Sequence, residues 1–491
     1  MKRGYLLGAL TCALLLAAAA AVAATTAPSG PPILDIAGSG TACSTPPACG
    51  DGAAAAAGEL SFPEGVAVDS HGDVYIADWG DNEVRRIAPD GTITAVAGGG
   101  TPCWSPPGCG DAAAATDAQL SFPDGVGVGP DGSIYIADTG DDEIRKVSPS
   151  GEITRFAGDG SACSRPPDCG DGGPATNAHL SAPVAVAVDR LGAVYVADTG
   201  DSELRKISPS GTITRVAGTG VLCATAPSCG DGGAATNAQL NFPSGIAVDA
   251  AGNLLIADGG DNEVRKVSAS GTITRVAGSG KQCAAPPACG DGGAATSADL
   301  NGPDGVALAA NGTFYIADSG DNEVRRVSAA GKITSVAGTG VACAVPSSCG
   351  DGGPATSAQL NYPEAVALDP SGDLYIADTY DAEVRFIAGG STATLSSPTV
   401  RVALGAIAAS ATLKAVTVRY ALSAPAAITL SVAAGAAQSV VAHAAGHSGL
   451  NMVVWKRRLG ASAAPRGRYT LTLTATAGGR SASVKLSLRL T

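Results

Sequence analysis

The chain repeats itself every sixty residues, and this period restricts the fold more than any other feature of the sequence. One unit reads "GVAVDSHGDVYIADWGDNEVRRIAPDGTITAVAGGG" from Gly65. A fixed period of this length indicates a repeat architecture, in which each unit buries its apolar faces against its neighbours. Related segments begin at Gly65, Gly125, Ala185, Gly245, Gly305 and Ala365.

Each unit predicts four short strands. In the first unit the predicted strands run over Gly65–Asp69, Asp73–Asp78, Glu83–Ala88 and Thr92–Gly98. They are rich in Val, Ile, Tyr and Thr, and turn clusters such as "DSHGD" and "PDGT" separate them. No segment sustains a 3.6-residue apolar period, which excludes helical repeats. Four antiparallel strands per unit predict the blade of an all-β propeller.

The fourth strand follows only five of the six units. After "YIADTYDAEVRFIA" (Tyr375–Ala388) the repeat stops and "GGSTATLSSP" follows. The missing strand occurs instead near the start of the chain, as "ILDIAG" (Ile33–Gly38). We expect this segment to pair with the last unit and to close six blades into a ring over residues 32–390, because closure removes exposed sheet edges.

The pattern "P-x-G-V-A-V-D…G-x-V-Y-I-A-D-T-G-D-N-E-V-R-K" resembles NHL repeats. The insert between units, for example "CGDGGPATNAHL", resembles the glycine- and alanine-rich insert of teneurin-type and bacterial NHL propellers. The resemblance covers about residues 32–390 and implies a six-bladed β-propeller. It implies no single activity, because NHL proteins include peptide-binding, RNA-binding, adhesive and sensor domains and a few lyases.

Twelve of the thirteen cysteines form six C-x5-C pairs, one in each insert. We expect local structural disulfides, which form in oxidising compartments. A metal site is the alternative, but the spacing is not C-x2-C and the chain has only four histidines. The predicted bridges join Cys43 with Cys49, Cys103 with Cys109, Cys163 with Cys169, Cys223 with Cys229, Cys283 with Cys289, and Cys343 with Cys349.

The N-terminal residues predict export. Lys2 and Arg3 precede an apolar run that ends in small residues near Ala24, as in a secretory signal peptide over residues 1–24. An uncleaved membrane anchor is the alternative. No other segment reaches the ~20 apolar residues that a membrane-spanning helix needs. We therefore expect a secreted or extracytoplasmic protein, either free or associated with the cell envelope.

Residues 391–491 differ in composition and predict a second domain. Alternating apolar residues and Gly, Pro and Ala turns indicate a small β-sandwich. The segment "GLNMVVWKRRLG" followed by "GRYTLTLTATAGG" resembles bacterial immunoglobulin-like modules of the flagellar-hook-cap type. In those modules, a strand that ends in Trp precedes a "G-x-Y-T-L" strand.

Charge is divided between the two domains. All 44 Asp and Glu residues lie before residue 391, whereas the last 101 residues contain eleven Lys and Arg. An acidic propeller repels phosphate backbones, which argues against a nucleic-acid partner. The basic domain suits either docking on its own propeller or an anionic polymer of the envelope, and the sequence does not choose between them.

Two groups of residues are candidate ligand contacts. In a propeller, the loop between strands two and three and the insert before strand one emerge on one face, here called the mouth face. Trp79 and Trp104 break the repeat there, and an exposed indole pair suits a sugar or an apolar partner surface, although chance substitution is the plainer explanation. One position per unit forms a predicted ring at the channel mouth: Glu64, Asp124, Val184, Ser244, Asp304 and Glu364. Its four carboxylates suit calcium, or they are solvated or paired with backbone groups.

An aspartate and an arginine recur in every unit. We expect them to form structural ion pairs, because architecture needs six copies and a site seldom does, and because buried charges must be matched. The predicted pairs are Asp78 with Arg85, Asp138 with Arg145, Asp198 with Arg205, Asp258 with Arg265, Asp318 with Arg325, and Asp378 with Arg385.

The sequence predicts a binding protein. It contains no Ser-His-Asp arrangement, zinc motif or phosphate-binding glycine loop, and the predicted inner strands ("VAV", "VGV", "IAV") are small and apolar. We expect a non-catalytic binding, adhesion or scaffold protein without a cofactor, whose mouth face contacts a protein or an envelope glycan. The alternative is a calcium-dependent lyase or hydrolase centred on the acidic ring.

Overall fold

The computed structural model describes most of the chain outside its N-terminal segment. It covers residues 30–389, except loop residues 48, 108, 165, 167–168, 228, 288 and 347–348. Of the rest, it describes residues 392–395, 402–411, 415–434, 437–459, 462–465, 467–477 and 480–490. The predicted signal peptide lies outside the described residues. Within these ranges, no helix has the length and apolar character needed to cross a membrane.

Six antiparallel sheets occupy residues 30–389, and we call them blades 1–6 in the order of their first strands. The first strands are Pro63–Val68, Pro123–Val128, Pro183–Val188, Pro243–Val248, Pro303–Leu308 and Pro363–Leu368. The second strands are Val74–Asp78, Ile134–Asp138, Val194–Asp198, Leu254–Asp258, Phe314–Asp318 and Leu374–Asp378. The third strands are Glu83–Ile87, Glu143–Val147, Glu203–Ile207, Glu263–Val267, Glu323–Val327 and Glu383–Ile387. The fourth strands of blades 1–5 are Ile93–Ala97, Glu152–Ala157, Ile213–Ala217, Ile273–Ala277 and Ile333–Ala337.

The fourth strand of blade 6 comes from the other end of the propeller sequence. Ile33–Ala37 pairs antiparallel with Glu383–Ile387, with Leu34 opposite Phe386. This is the pairing that the sequence predicts for the orphan strand. The first strands contact one another in chain order, and that of blade 6 contacts that of blade 1. Between these two blades, the Thr379 hydroxyl donates a hydrogen bond to the Pro63 carbonyl at 2.9 Å.

Small residues let the first strands approach one another. A Cβ placed on Gly65 would lie 2.4 Å from the Asp124 carbonyl oxygen, and one on Gly245 would lie 2.2 Å from that of Asp304. The second strands lie behind them and are almost entirely buried between blades. The "P-x-G" sequence thus brings the first strands close together around a narrow channel.

The inserts differ in part from the prediction that they gather on the mouth face. The Gly52 and Ala55 amides donate hydrogen bonds of 2.8 Å to the carbonyls of Ile93 and Gly91 in the outer hairpin of blade 1. In blade 2 the same part of the insert forms a fifth strand, Ala113–Ala114. The reason is that an outer strand has unpaired backbone groups, and the second half of each insert satisfies them.

All six predicted disulfides are present, and they staple the first half of each insert. They join Cys43 with Cys49, Cys103 with Cys109, Cys163 with Cys169, Cys223 with Cys229, Cys283 with Cys289, and Cys343 with Cys349. A 3-10 turn follows each stapled loop: Ala55–Ala57, Ala115–Asp117, Ala175–Asn177, Ala235–Asn237, Ala295–Ser297 and Ala355–Ser357. Another follows each second strand: Trp79–Asp81, Thr139–Asp141, Thr199–Asp201, Gly259–Asp261, Ser319–Asp321 and Thr379–Asp381.

In the last insert, both cysteines of the bridge are buried. Cys349 is 3% exposed, and its carbonyl accepts a hydrogen bond of 2.9 Å from the backbone N–H of Gln359. Its bridge partner Cys343 is also buried, and its amide donates to the Leu360 carbonyl at 3.2 Å. The reason is that these bonds tie both cysteines to the segment before the next first strand. The bridge therefore anchors the insert to the propeller.

The C-terminal residues form two four-stranded antiparallel sheets with a shared apolar core, in which Trp455 and Tyr469 pack edge to face. In sheet order, the first contains Thr392–Leu395, Val402–Ala411, Val416–Leu422 and Gly449–Trp455. The second contains Ala437–Gly446, Ala426–Ala434, Gly467–Ala477 and Arg480–Leu490. Two short strands, Arg458–Leu459 and Ser462–Ala463, pair separately. The first sheet contacts the outer strand of blade 6.

Candidate functional site

One cavity of about 400 Å³ lies at the centre of the mouth face. All six predicted ring positions line it, so the structure brings together four carboxylates that are far apart in sequence. Below them the wall consists of apolar first-strand residues such as Val66, Val186 and Ile246. Among the described residues that line the cavity, none is Lys, Arg or His. The cavity is therefore acidic at its mouth and apolar below.

The pKa values of all four ring carboxyls are raised. Burial and the charges of Asp124 and Glu364 raise the pKa of Glu64 to about 11. Burial and the charges of Asp304 and Asp124 raise the pKa of Glu364 to about 8. Burial raises the pKa of Asp124 and that of Asp304 to about 6, against hydrogen bonds that lower them. At neutral pH the glutamates hold protons, and the negative charge is concentrated on the two aspartates.

Four aromatic residues at the mouth adopt a backbone conformation that favours glycine. The residue before the first-strand proline has φ of 54° at Phe62, 52° at Phe122, 51° at Phe242 and 56° at Tyr362. The equivalent Gly302 has φ of 56°, so the fold demands this left-handed conformation whatever the side chain. A non-glycine residue there costs roughly 1–2 kcal/mol. Aromatic side chains are therefore present although the backbone would favour glycine.

Five aromatic rings form a continuous arc over blades 6, 1 and 2, which we call the aromatic arc. It consists of Tyr362, Tyr380, Phe62, Trp79 and Phe122. Successive ring centroids are 5.1, 5.8, 6.1 and 4.7 Å apart. Tyr362 also lines the cavity, so the arc begins at the mouth. Sequence reasoning missed all of these rings except Trp79, although "SFP" and "NYP" before the first strands were a usable signal.

The predicted exposed pair of indoles is wrong. Trp79 is half-buried and packs between Phe62 and Phe122. Trp104 is 81% exposed on a stapled loop, and among the described residues its ring contacts no other aromatic ring. The reason is that Trp104 stands on a stapled loop, whereas Trp79 begins the 3-10 turn after the second strand, where Phe62 and Phe122 flank it. Only Trp79 therefore belongs to the arc.

Trp79 replaces a link between blades. In four units the equivalent residue is Thr or Ser, and its hydroxyl donates to a carbonyl of the next blade. These bonds are Thr139 to Pro183 (2.7 Å), Thr199 to Pro243 (2.6 Å), Ser319 to Pro363 (2.5 Å) and Thr379 to Pro63 (2.9 Å). Trp79 has no hydroxyl and instead stacks on Phe122 of blade 2. The substitution thus exchanges a hydrogen bond for aromatic surface at the mouth.

The repeated Asp and Arg side chains contact each other inside every blade. They therefore join the second and third strands of one sheet, and the arginines are fully buried. The closest N–O distances are 3.7 Å for Asp78 and Arg85, 3.2 Å for Asp138 and Arg145, 3.1 Å for Asp198 and Arg205, 3.3 Å for Asp258 and Arg265, 3.1 Å for Asp318 and Arg325, and 3.0 Å for Asp378 and Arg385.

The predicted pairs are incomplete, because each arginine has a second carboxylate partner. This partner is the aspartate of the "C-G-D" sequence in the insert, which sequence reasoning missed although it recurs in all six units. Each arginine therefore joins the second strand, the third strand and the insert. The second partners are Asp51, Asp111, Asp171, Asp231, Asp291 and Asp351.

Blades 1 and 3 show how the actual pairing differs from the predicted pairs. Nη2 of Arg85 contacts Oδ1 of Asp51, whereas 3.7 Å separates its Nη1 from Asp78, too far for a hydrogen bond. Nη2 of Arg205 lies 2.8 Å from Asp171, closer than the 3.1 Å between its Nη1 and Asp198. The reason is that a guanidinium presents donors in several directions, and the insert folds back over the third strand. The insert aspartate is thus the closer partner of both arginines.

The sequence matches the family described as "Teneurin NHL domain" over residues 32–107, 92–168, 149–228, 215–287 and 274–340. These overlapping matches extend over more than half of the chain. Mouse teneurin-4 is 29% identical over 353 residues, which are 67% of this chain and 12% of that protein. Mouse teneurin-1 is 30% identical over 254 residues, or 48% of this chain and 9% of that protein. The chain thus corresponds to a small part of these relatives.

One solved structure shares the fold. A protein of unknown function from Bacteroides thetaiotaomicron VPI-5482 superimposes with a TM-score of 0.50 and 18% identity, covering 72% of this chain and 75% of that chain. At this level of identity the likeness concerns the fold alone.

Proposed function

Because this chain belongs to the teneurin NHL domain family, we propose that it is an exported, non-catalytic binding module that holds a partner protein at the cell envelope through its mouth face. The six disulfides support export, because such bridges persist in oxidising compartments. The pairing of Ile33–Ala37 with blade 6 and the contact between blades 6 and 1 support a closed six-bladed propeller. The two C-terminal sheets support an immunoglobulin-like module.

The aromatic arc carries the proposal. Six identical units would give a rim with six identical sectors. At the position of Trp79 the other units have Thr, Ser or Gly, and at the position of Tyr380 they all have Gly. These two residues lie on either side of Phe62, contact it edge to face and complete the aromatic arc. Large aromatic side chains dominate protein-binding hot spots. The asymmetry therefore marks one sector of the rim as a binding surface.

The charge of the mouth indicates a basic partner. Asp124 and Asp304 line the same cavity as the aromatic residues Phe242 and Tyr362, and among the described lining residues there is no cation to neutralise them. A Lys or Arg side chain entering here would meet both a carboxylate and the face of a ring. We expect binding to weaken as ionic strength rises, whereas binding of a neutral glycan would be insensitive to salt.

Restoring the repeat residues at the arc tests the proposal. In the full chain, Trp79→Thr and Tyr380→Gly introduce residue types that other units have at these positions. We expect it to fold and to lose at least ~30-fold in affinity, as when hot-spot aromatics worth about 2 kcal/mol are removed. The measurement is titration against a partner first captured from envelope fractions and then purified.

A matched control separates arc-specific binding from adhesion to any exposed ring. Trp104→Ser removes the exposed indole outside the arc and should leave affinity unchanged. Equal binding by all three proteins would contradict the proposal. Loss of capture after enzymatic deglycosylation of the fraction would replace the protein partner with a glycan.

A calcium-dependent lyase or hydrolase is the second candidate, because four carboxylates line one cavity. Calcium prefers ionised carboxylates, whereas Glu64 and Glu364 hold protons at neutral pH. We therefore expect millimolar calcium to leave the melting temperature of the full chain unchanged at pH 7. A rise of several degrees, abolished in Asp124→Asn, would favour the enzyme.

A further inference from the structure

The outer hairpin of blade 6 departs from the repeat at one cross-strand pair. In blades 1–5 a threonine of the fourth strand stands opposite a lysine or arginine of the third. In blade 6, Leu34 stands opposite Phe386. The other pairs are Thr94 with Arg86, Thr154 with Lys146, Thr214 with Lys206, Thr274 with Lys266, and Thr334 with Arg326.

This apolar pair is fully covered. Leu34 and Phe386 are both 0% exposed, whereas the threonines of blades 1–5 are half-buried or exposed. The cover belongs to the C-terminal sandwich: Ala421 is 0% exposed and Leu450 is 3% exposed, and both join the apolar cluster that contains Leu34 and Phe386. The sandwich therefore docks on the blade that carries matching apolar residues.

Polar contacts continue the interface onto blade 1. Nη1 of Arg419 donates to the His71 carbonyl at 2.8 Å. Nε2 of His447 lies 3.2 Å from the Asp90 carbonyl oxygen. The positive charge of Arg419 also lowers the pKa values of Asp73 in blade 1 and Asp373 in blade 6, although burial raises both overall. One guanidinium thus acts on carboxyls of the two blades that meet where the chain ends join.

We propose that the C-terminal sandwich is a clasp that locks the propeller at the junction of blades 6 and 1. Ile33–Ala37 is the one blade strand among the described residues that reaches its sheet from the other end of the propeller sequence, so it is the strand most easily lost. The sandwich covers its outer face and bridges to blade 1. This role of the basic domain is independent of the mouth. It assigns the positive charge of Arg419 to docking on the propeller, whereas the sequence also allowed the basic domain to bind an anionic polymer of the envelope.

Two variants of the full chain test the clasp. Ala421→Asp places a carboxylate in the interface from the sandwich side and leaves the propeller sequence unchanged. Leu34→Thr with Phe386→Lys gives blade 6 the pair that the other blades carry. We expect both variants to increase the radius of gyration in solution scattering and to accelerate amide exchange of Ile33–Ala37 at least tenfold.

The control is Val440→Asp, an exposed position in the other sheet of the sandwich, which should match the unmodified protein in both measurements. If Leu34→Thr with Phe386→Lys prevents folding, Ala421→Asp alone decides. Unchanged scattering and exchange in Ala421→Asp would overturn the interface. An expanded particle whose Ile33–Ala37 amides exchange at the original rate would overturn the clasp. Neither result depends on ligand binding at the mouth.

Discussion

Replacing Arg265 with Met is expected to lower the free energy of unfolding by about 3–5 kcal/mol, the range for removing one member of a buried ion pair. The Arg265 side chain is fully buried between Asp258, at 3.3 Å, and Asp231, at 2.8 Å. It also donates to the Gln239 carbonyl at 2.8 Å. Met fills a similar volume but leaves two carboxylates and a carbonyl without their donor. The loss is measured by urea unfolding of the oxidised protein, followed by circular dichroism.

The control is Lys266→Met, in the same strand on the opposite, partly exposed face, where a loss within about 0.5 kcal/mol is expected. Adding Asp258→Asn to Arg265→Met should recover at least ~1 kcal/mol, because the amide needs no positive partner. The backbone N–H of Asn241 donates to Oδ1 of Asp258, and the side-chain oxygen of an asparagine at position 258 can accept the same bond. Similar losses in Arg265→Met and Lys266→Met would show that the pair does not hold the blade.

Most of the fold could be predicted from the sequence because each strand pattern occurs in six copies that can be compared. A period of sixty defines which residues are equivalent and shows that the last unit lacks a fourth strand. The extra strand at Ile33 has the sequence pattern of that missing strand, so the two could be matched. The disulfides followed for the same reason, since a single bridge within each unit accounts for every pair. The inserts were placed less well, because their backbone pairing with outer strands leaves no apolar alternation in residues such as Ala113 and Ala114.

The ion pairs were predicted in kind but not in full. The period identifies Arg85 and Arg205 as equivalent and places an aspartate seven positions before each of them. It gives no sign that the insert folds back over the third strand, where Asp51 and Asp171 become the closer partners. The burial of Cys349 escaped prediction for the same reason, because it depends on the path of the insert. Short-range spacing predicts contacts within a hairpin, whereas contacts made by a loop that folds back are seen only in the three-dimensional structure.

The binding surface was harder to predict because it depends on neighbours across blades. The sequence marks Trp79 as a departure from the repeat, but it does not show that Tyr380 and Phe62 lie next to each other, 318 positions apart. Nor does it show that Phe62 occupies a left-handed conformation. Leu34 and Phe386 were likewise visible departures, and their meaning appears only when the sandwich is seen to cover them. In a repeat protein, comparing equivalent positions finds such residues, whereas geometry explains them.

Raising the pH from 5 to 8 is expected to destabilise the protein through the carboxyl ring. Glu64 has a pKa of about 11 when folded, raised chiefly by burial, whereas an unfolded glutamate titrates near 4.3. Between these values the folded state keeps a proton that the unfolded state has lost, so stability falls as the pH rises. Each pH unit costs up to about 1.4 kcal/mol for one such group. Over this range the expected loss from Glu64 is on the order of 2–4 kcal/mol.

Glu64→Gln isolates this contribution, because the amide resembles the protonated acid and does not titrate. The variant should match the unmodified protein at pH 5 and exceed its free energy of unfolding at pH 8 by the amount that Glu64 loses. Glu152→Gln, on an exposed strand position, is the control and should follow the unmodified protein at both pH values. Parallel pH profiles for Glu64→Gln and the unmodified protein would mean that Glu64 is ionised in the folded state. The mouth would then carry a further negative charge, and a divalent cation would become a better match for it than a single basic side chain.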